Sequence, residues 1–269
     1  MTELSTVERM LRRDRALLVT AIGLLFLLSG LYTVFGVGME MSSIEMTAMR
    51  GMRDMPAPRK AGDWSMSHAV LVFLMWWVMM VAMMLPGVAP SVLLHAALQR
   101  HAERRGALPA ASTTFLGGYL AVWAGFSVLA VLAQWGGEAT GLVSPTLMTL
   151  TDTVPGGLLL IAAGAFQITP LKASCLVHCR SPMHYLSKHQ KPGIGGAFRM
   201  GLEHGVYCLG CCWGLMALLF VGGIMNLYWI VGLAAFVAIE KLLPFGRGFS
   251  KAAGAALILW GIYVVGMAM

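Results

Sequence analysis

Long apolar runs separated by short polar segments dominate this chain, and neither the alternation of a half-buried strand nor the one-sided stripe of a surface helix describes them. The runs occupy about 16–35, 68–94, 112–135, 154–171, 201–223, 227–243 and 252–267. Each is near the roughly 20 residues that an α-helix needs to cross a hydrocarbon core of about 30 Å. None shows the ten-residue alternation of a barrel strand. The pattern predicts an all-α, polytopic transmembrane helical bundle of about seven helices, a single integral membrane domain over 1–269. The first run follows acidic as well as basic residues and lacks a small-residue cleavage site, so it is expected to be a retained helix. Thr169 and Pro170 are expected to bend or end the fourth helix.

Composition agrees: 58% of the 269 residues are hydrophobic and 12% charged, where a soluble domain carries roughly 25% charged residues. Mean hydropathy is +0.75. Charge then orients the bundle, because Lys and Arg near membrane ends are retained on the cytoplasmic side. Arg9, Arg12, Arg13 and Arg15 precede the first run, Arg100, Arg104 and Arg105 follow the second, Lys172, Arg180, Lys188, Lys191 and Arg199 separate the fourth from the fifth, and Lys241, Arg247 and Lys251 the sixth from the seventh. All fall on one side. Arg50, Arg53, Arg59 and Lys60 are offset by Glu40, Glu45, Asp54 and Asp63, and the other outward segment holds only Glu138 and Asp152. The expectation is an N-terminus in the cytoplasm, a C-terminus outside, and a multi-pass protein of the cell inner (plasma) membrane. The net charge of +7 then reports topology and asks for no nucleic acid. Two segments stand apart, a Met-rich outward loop at about 36–67 and a His/Lys/Arg-rich cytoplasmic loop at about 172–199.

The five cysteines form two clusters, Cys175 with Cys179, and Cys208 with Cys211 and Cys212. Both fall at cytoplasmic helix ends, where thiols stay reduced, so a disulfide framework is not expected. Cys175 and Cys179 are spaced i, i+4, and His204, Cys208, Cys211 and Cys212 follow i, i+4, i+7 and i+8, so each set shares one helix face. The connecting loop adds His178, His184 and His189. Four to six thiolate and imidazole donors are expected to converge, a set that suits Cu(I) or Zn(II), with iron a further candidate. The same residues also read as small buried hydrophobes beside a hydrogen-bonding histidine. Gln167, Glu203 and Glu240 are candidates to support such ligands. Glu240 with Lys241 reads equally well as an interfacial charge pair. His95 and His101, in the basic second loop, are expected to be solvated.

Methionine is the other unusual feature, since twelve of the 21 lie between Met39 and Met84. Met46, Met49, Met52 and Met55 recur every three residues in the outward loop, flanked by Met39, Met41 and Met66. Thioether is a soft, uncharged donor that favours Cu(I). The same segment also reads as an amphipathic surface helix or a partner-binding surface. On the second helix Met75, Met79 and Met83 form one stripe and Met80 and Met84 its neighbour, which with His68 make a soft-metal path or simply flexible packing. Glycine pairs such as Gly117 and Gly118, Gly156 and Gly157, or Gly201 and Gly205 fit close helix packing, within one chain or between copies, and leave the oligomeric state open.

No phosphate-binding loop, nucleophile elbow or zinc-protease helix is present, so no catalytic residue is assigned and ATP-driven transport by this chain alone is not expected. Four segments carry a resemblance: Trp77-Val-Met-Met-Val-Ala-Met-Met-Leu-Pro86, Gln167-Ile-Thr-Pro-Leu-Lys-Ala-Ser-Cys-Leu-Val-His-Cys-Arg180, Gly201-Leu-Glu-His-Gly-Val-Tyr-Cys-Leu-Gly-Cys-Cys-Trp213, and Glu240-Lys241. They resemble a bacterial family of predicted metal-binding integral membrane proteins, some members of which are labelled copper chaperones. The resemblance implies metal handling without supplying a reaction. The function expected is binding of a transition metal, copper as Cu(I) first, and its delivery or transport, with a metal donor, an acceptor protein or a membrane metalloenzyme as partner. A membrane thiol or metal-dependent oxidoreductase, and an assembly factor for a membrane metalloenzyme, are the alternatives.

Overall fold

Uninterrupted apolar stretches leave a backbone surrounded by hydrocarbon no partner but itself, and the helix satisfies every such group locally. A computed structural model describes residues 6–39, 41–49, 62–103, 111–180 and 193–268, and within them the chain forms ten helices and no strand. They are α1 (Thr6–Phe35), α2 (Ser43–Ala48), α3 (Met66–Glu103), α4 (Ala111–Ala139), α5 (Thr153–Ile168), α6 (Pro170–Arg180), α7 (Gly193–Ala217), α8 (Leu219–Gly222), α9 (Leu227–Leu242) and α10 (Gly246–Ala268).

Five stretches are long and apolar enough to cross a membrane: Ala16–Phe35, Met66–Leu98, Ser112–Ala139, Gly193–Gly222 and Gly246–Ala268. The pair α5 and α6, bent by 63° at Thr169, makes a sixth. This differs from the seven expected, because α9 has only 16 residues and so reaches about 24 Å. The bend itself is as the sequence predicts. Thr169 closes α5 with its amide on the Phe166 carbonyl at 3.1 Å. Its hydroxyl then accepts the Lys172 amide at 3.3 Å, starting α6 behind Pro170.

α3 and α7 form the interior, with 50% of their most apolar stretches buried, while α1 and α10 bury only 11% and turn residues such as Leu28 and Leu259 outward. Small residues set the spacing. A side chain at Gly118 or Gly201 would strike the backbone carbonyls of Phe198 and Phe115, so α4 and α7 touch along their main chains. Gly157 and Gly164 meet Gly261 and Gly254 in the same manner between α5 and α10, whereas Gly117 has open space beside it.

α3 continues through Pro86 and Pro90 to Glu103, past the end expected near 94. Neighbouring helices make such interruptions tolerable in an apolar bundle. The extension carries His95 into the interior, where it is buried and stacks on Phe115 with ring centres 4.8 Å apart. The expected solvated histidine is therefore a packed one. The His101 side chain lies outside the described residues. The Met-rich loop is partly helical, α2 being closed by a reciprocal Ser42 and Glu45 capping box. Met52 and Met55 lie outside the described residues, as do His184, His189, Lys188 and Lys191 of the loop expected at 172–199, whose two ends belong to α6 and α7.

Candidate metal centre

The i, i+4, i+7, i+8 spacing turns His204, Cys208, Cys211 and Cys212 to the inner face of α7, and all four are buried. The thiols of Cys211 and Cys212 both donate to the Cys208 carbonyl, at 3.1 and 2.8 Å. α6 comes alongside after the Thr169 bend and sets Cys179 Sγ 3.9 Å from Cys211 Sγ. Cys175 is half-buried, and its sulfur lies where a side chain at Gly210 would stand. From α3, Met84 Sδ reaches to 3.9 Å from Cys212 Sγ. All five cysteines are free thiols.

Two sulfurs bonded to one ion at about 2.3 Å stand about 3.8 Å apart at a tetrahedral angle and about 4.0 Å at a trigonal one. The Cys179–Cys211 and Cys212–Met84 separations of 3.9 Å fit both, and sulfurs in plain contact reach the same distance. Among the described residues no three His, Cys, Asp or Glu side chains stand together as a ready cage. The structure brings Cys179 to Cys211 and Cys212 to Met84, and Cys208 also meets a lysine and a tyrosine.

Lys241 Nζ donates to Cys208 Sγ at 2.9 Å and lies 3.9 Å from Met84 Sδ, and the Tyr119 hydroxyl is 3.0 Å from the same Cys208 sulfur. The lysine stem runs over Gly87, where a methyl group would come within 3.2 Å of Lys241 Cδ. Beside it Lys172 pairs with Glu240 at 2.6 Å and contacts Gln167, whose backbone and side-chain oxygens each accept from Ser250 at 3.2 Å. Glu240 is 0% and Lys241 6% exposed, so they are not an interfacial pair with each other. Each is buried against a different partner. A buried charge must be paired to persist. Lys172 answers Glu240, and Lys241 has Cys208.

The remaining candidates are distributed more widely. His204 sits between Phe115 and Tyr119, with ring centres 5.9 and 6.0 Å away. His178 stacks on Tyr207 at 4.1 Å and bonds the Ser174 carbonyl through Nδ1 at 3.0 Å. Glu203 pairs with Arg199 on the outer side of α7. Met75, Met79, Met80, Met83 and Met84 are all buried, at 2% exposure or less. His68 is at the far end of α3, edge-on to Trp64.

Helical spacing gives no sign of Tyr119, Lys172 or Lys241 at this centre. The two lysines read as cytoplasmic topology charges, Lys241 also as an interfacial partner of Glu240, although both stand inside the segments that carry the resemblance. Tyr119 gives no sequence signal. No curated protein and no solved structure matches the chain. A family model, PpoB2, described as a copper chaperone, matches residues 73–264, which contain every group just placed around the thiols. This membrane protein belongs to that copper chaperone family.

Proposed function

We propose that the chain binds copper as Cu(I) on the sulfurs of Cys179, Cys208, Cys211, Cys212 and Met84, with Cys175 and His204 beside them, and delivers or passes it through the membrane. The contact of Cys179 with Cys211, which joins two helices through soft donors, carries this reading. Charge supports it too. Cu(I) between two thiolates carries one negative charge, and Lys241 offers one positive charge at the Cys208 sulfur. The buried Met75, Met79, Met80 and Met83 extend soft donors along α3 toward His68.

The arrangement proposed for the whole chain is one membrane unit with a cytoplasmic N-terminus and an outer C-terminus in the bacterial plasma membrane. α9 and the bent pair complete seven crossings. Arg199, Arg247 and Lys251 remain exposed at the end assigned to the cytoplasm. An acceptor protein or metalloenzyme takes the copper.

The test is elemental analysis of detergent-purified protein beside the variant carrying Cys208→Ser, Cys211→Ser and Cys212→Ser. Stoichiometric copper in the first and the loss of the thiol-bound share in the second is the expected result. Stoichiometric zinc or iron with indifference to Cu(I) overturns it. The same Cys179–Cys211 approach favours a second reading, thiol oxidoreduction, which requires a reversible disulfide and turnover with an electron acceptor.

A further inference from the structure

A cavity of about 440 Å³ opens at the end of the bundle away from the thiols, where α1 ends and α3 begins. Its walls include Met39, Met41, Met46, Met148, His68 and Glu138, four thioethers, an imidazole and a carboxylate. From His68 to Met84 is sixteen positions along α3, about 24 Å, so the cavity is separate from the thiol centre.

Glu138 shows that the cavity asks for a cation. It is only 4% exposed, and its oxygens accept from Trp64 Nε1 at 2.7 Å and Gln134 Nε2 at 3.1 Å, both neutral donors. Gln134 is itself fixed by Trp76 Nε1 at 2.9 Å. No salt bridge to Glu138 occurs among the described residues. A buried carboxylate whose partners among the described residues are all neutral leaves a negative potential in the space it lines. Asp63 adds a second carboxylate at the wall.

Met148 is held at this wall in an unusual way. Its φ is +49°, in the left-handed region that methionine rarely occupies. Its amide is tied to the Ser144 carbonyl at 2.9 Å and its carbonyl to the Ile224 amide at 3.1 Å. The surrounding loop therefore fixes this conformation with the Met148 side chain on the cavity. Thioethers are poor ligands for hard divalent ions and good ones for Cu(I), and the carboxylate balances its single charge.

We infer that this cavity is a second Cu(I) site, built from Met39, Met41, Met46, Met148, His68 and Glu138, that receives the ion before it reaches the thiols. That it precedes the thiols rests on the reading above. That it binds Cu(I) does not.

The test uses full-length protein in detergent with Cys208→Ser, Cys211→Ser and Cys212→Ser, titrated with Ag(I) as a redox-inert stand-in for Cu(I), then with Cu(I) against a chromogenic chelator. One equivalent is expected to remain. Substituting Met39, Met41, Met46 and Met148 together by Leu, which keeps side-chain volume, is expected to weaken it at least tenfold. Glu138→Gln is expected to weaken it less, with unchanged sulfur scattering in X-ray absorption. Unchanged thermal unfolding of each variant keeps the comparison valid, and a single Met46→Leu replaces the quadruple variant where it does not fold. Absence of the residual equivalent, or its indifference to the Leu and Gln substitutions, overturns the proposal. Full retention of metal after the Cys→Ser changes overturns the thiol centre alone.

Discussion

The two soft-donor regions of this molecule lie in opposite surroundings. The thiol centre is dry, is crossed by buried charges, and is made wholly of residues inside the stretch matched by the copper chaperone family. The outer cavity is open, uses thioethers, and takes Met39, Met41, Met46 and His68 from before residue 73, where that match begins. Thiols bind Cu(I) more tightly but oxidise where the surroundings are oxidising, whereas thioethers need no deprotonation. On the two proposals above, tight binding belongs to the centre inside the matched stretch and collection to a cavity whose walls lie partly before it.

The sharpest way to break the comparison is at Cys208. Cys208→Ala is expected to abolish copper retention at the thiol centre and to cost about 3–5 kcal/mol, because Lys241 is left as an unpaired buried charge. Adding Lys241→Met is expected to recover most of the stability and none of the copper. Thermal unfolding and metal analysis of the two variants separate the effects. If the double variant is as unstable as the single one, the pairing of Lys241 with Cys208 is wrong.

The adjacent pair gives a slightly smaller effect without removing a sulfur. Lys172→Met or Glu240→Leu alone is expected to destabilise by about 3 kcal/mol, and the two together by little, since an apolar replacement of both ends removes the desolvation cost along with the attraction. Copper at the thiols is expected to survive in the double variant. A cycle with strictly additive losses contradicts the ion pair.

Substitutions in α3 test whether the two regions communicate. Met75, Met79 and Met83 to Leu conserves volume and is expected to cost less than about 1.5 kcal/mol per site. Equilibrium binding at both ends should persist. Transfer of Ag(I) from the outer cavity to the thiols, followed by stopped-flow absorbance, should slow. Unaltered transfer reduces the stripe to packing.

Much of this architecture is legible in the amino-acid sequence. Hydropathy locates the five long apolar helices and the bent pair because apolar length is a direct demand of the bilayer, and Pro170 marks the bend. The i, i+4 spacings put the right cysteines on facing sides of α6 and α7. What local pattern does not carry is how far a helix continues and which side chains meet. His95 reads as solvated because the second run is expected to end near 94 beside basic residues, and α3 continues instead to Glu103. Lys241 and Lys172 read as cytoplasmic charges because basic residues near helix ends ordinarily mark that side, and here glycine at position 87 and the bend at Thr169 let them turn inward. Met148 and Glu138 come together only through tertiary packing, so no local pattern announces them.

The smallest effect concerns the wall of the outer cavity. α2 is pinned by Ser43 on the Thr33 carbonyl at 2.6 Å and by the Leu227 amide on Thr47 Oγ1 at 2.9 Å, and its first turn is closed by Glu45 on the Ser42 amide at 2.8 Å. That amide bond, and then the Ser42 hydroxyl, hold the Glu45 carboxyl below its ordinary range. A depressed carboxyl contributes order that is present above its unfolded pKa and fades as pH falls through the lowered one. Glu45→Gln is therefore expected to loosen Met46 and weaken Ag(I) binding slightly at neutral pH in the Cys→Ser background. The gap between the two proteins should close as pH drops, because both side chains are then neutral. His68 is common to both proteins and cancels from the difference. A gap that persists in acid would mean that Glu45 acts on the cavity through its shape rather than its charge.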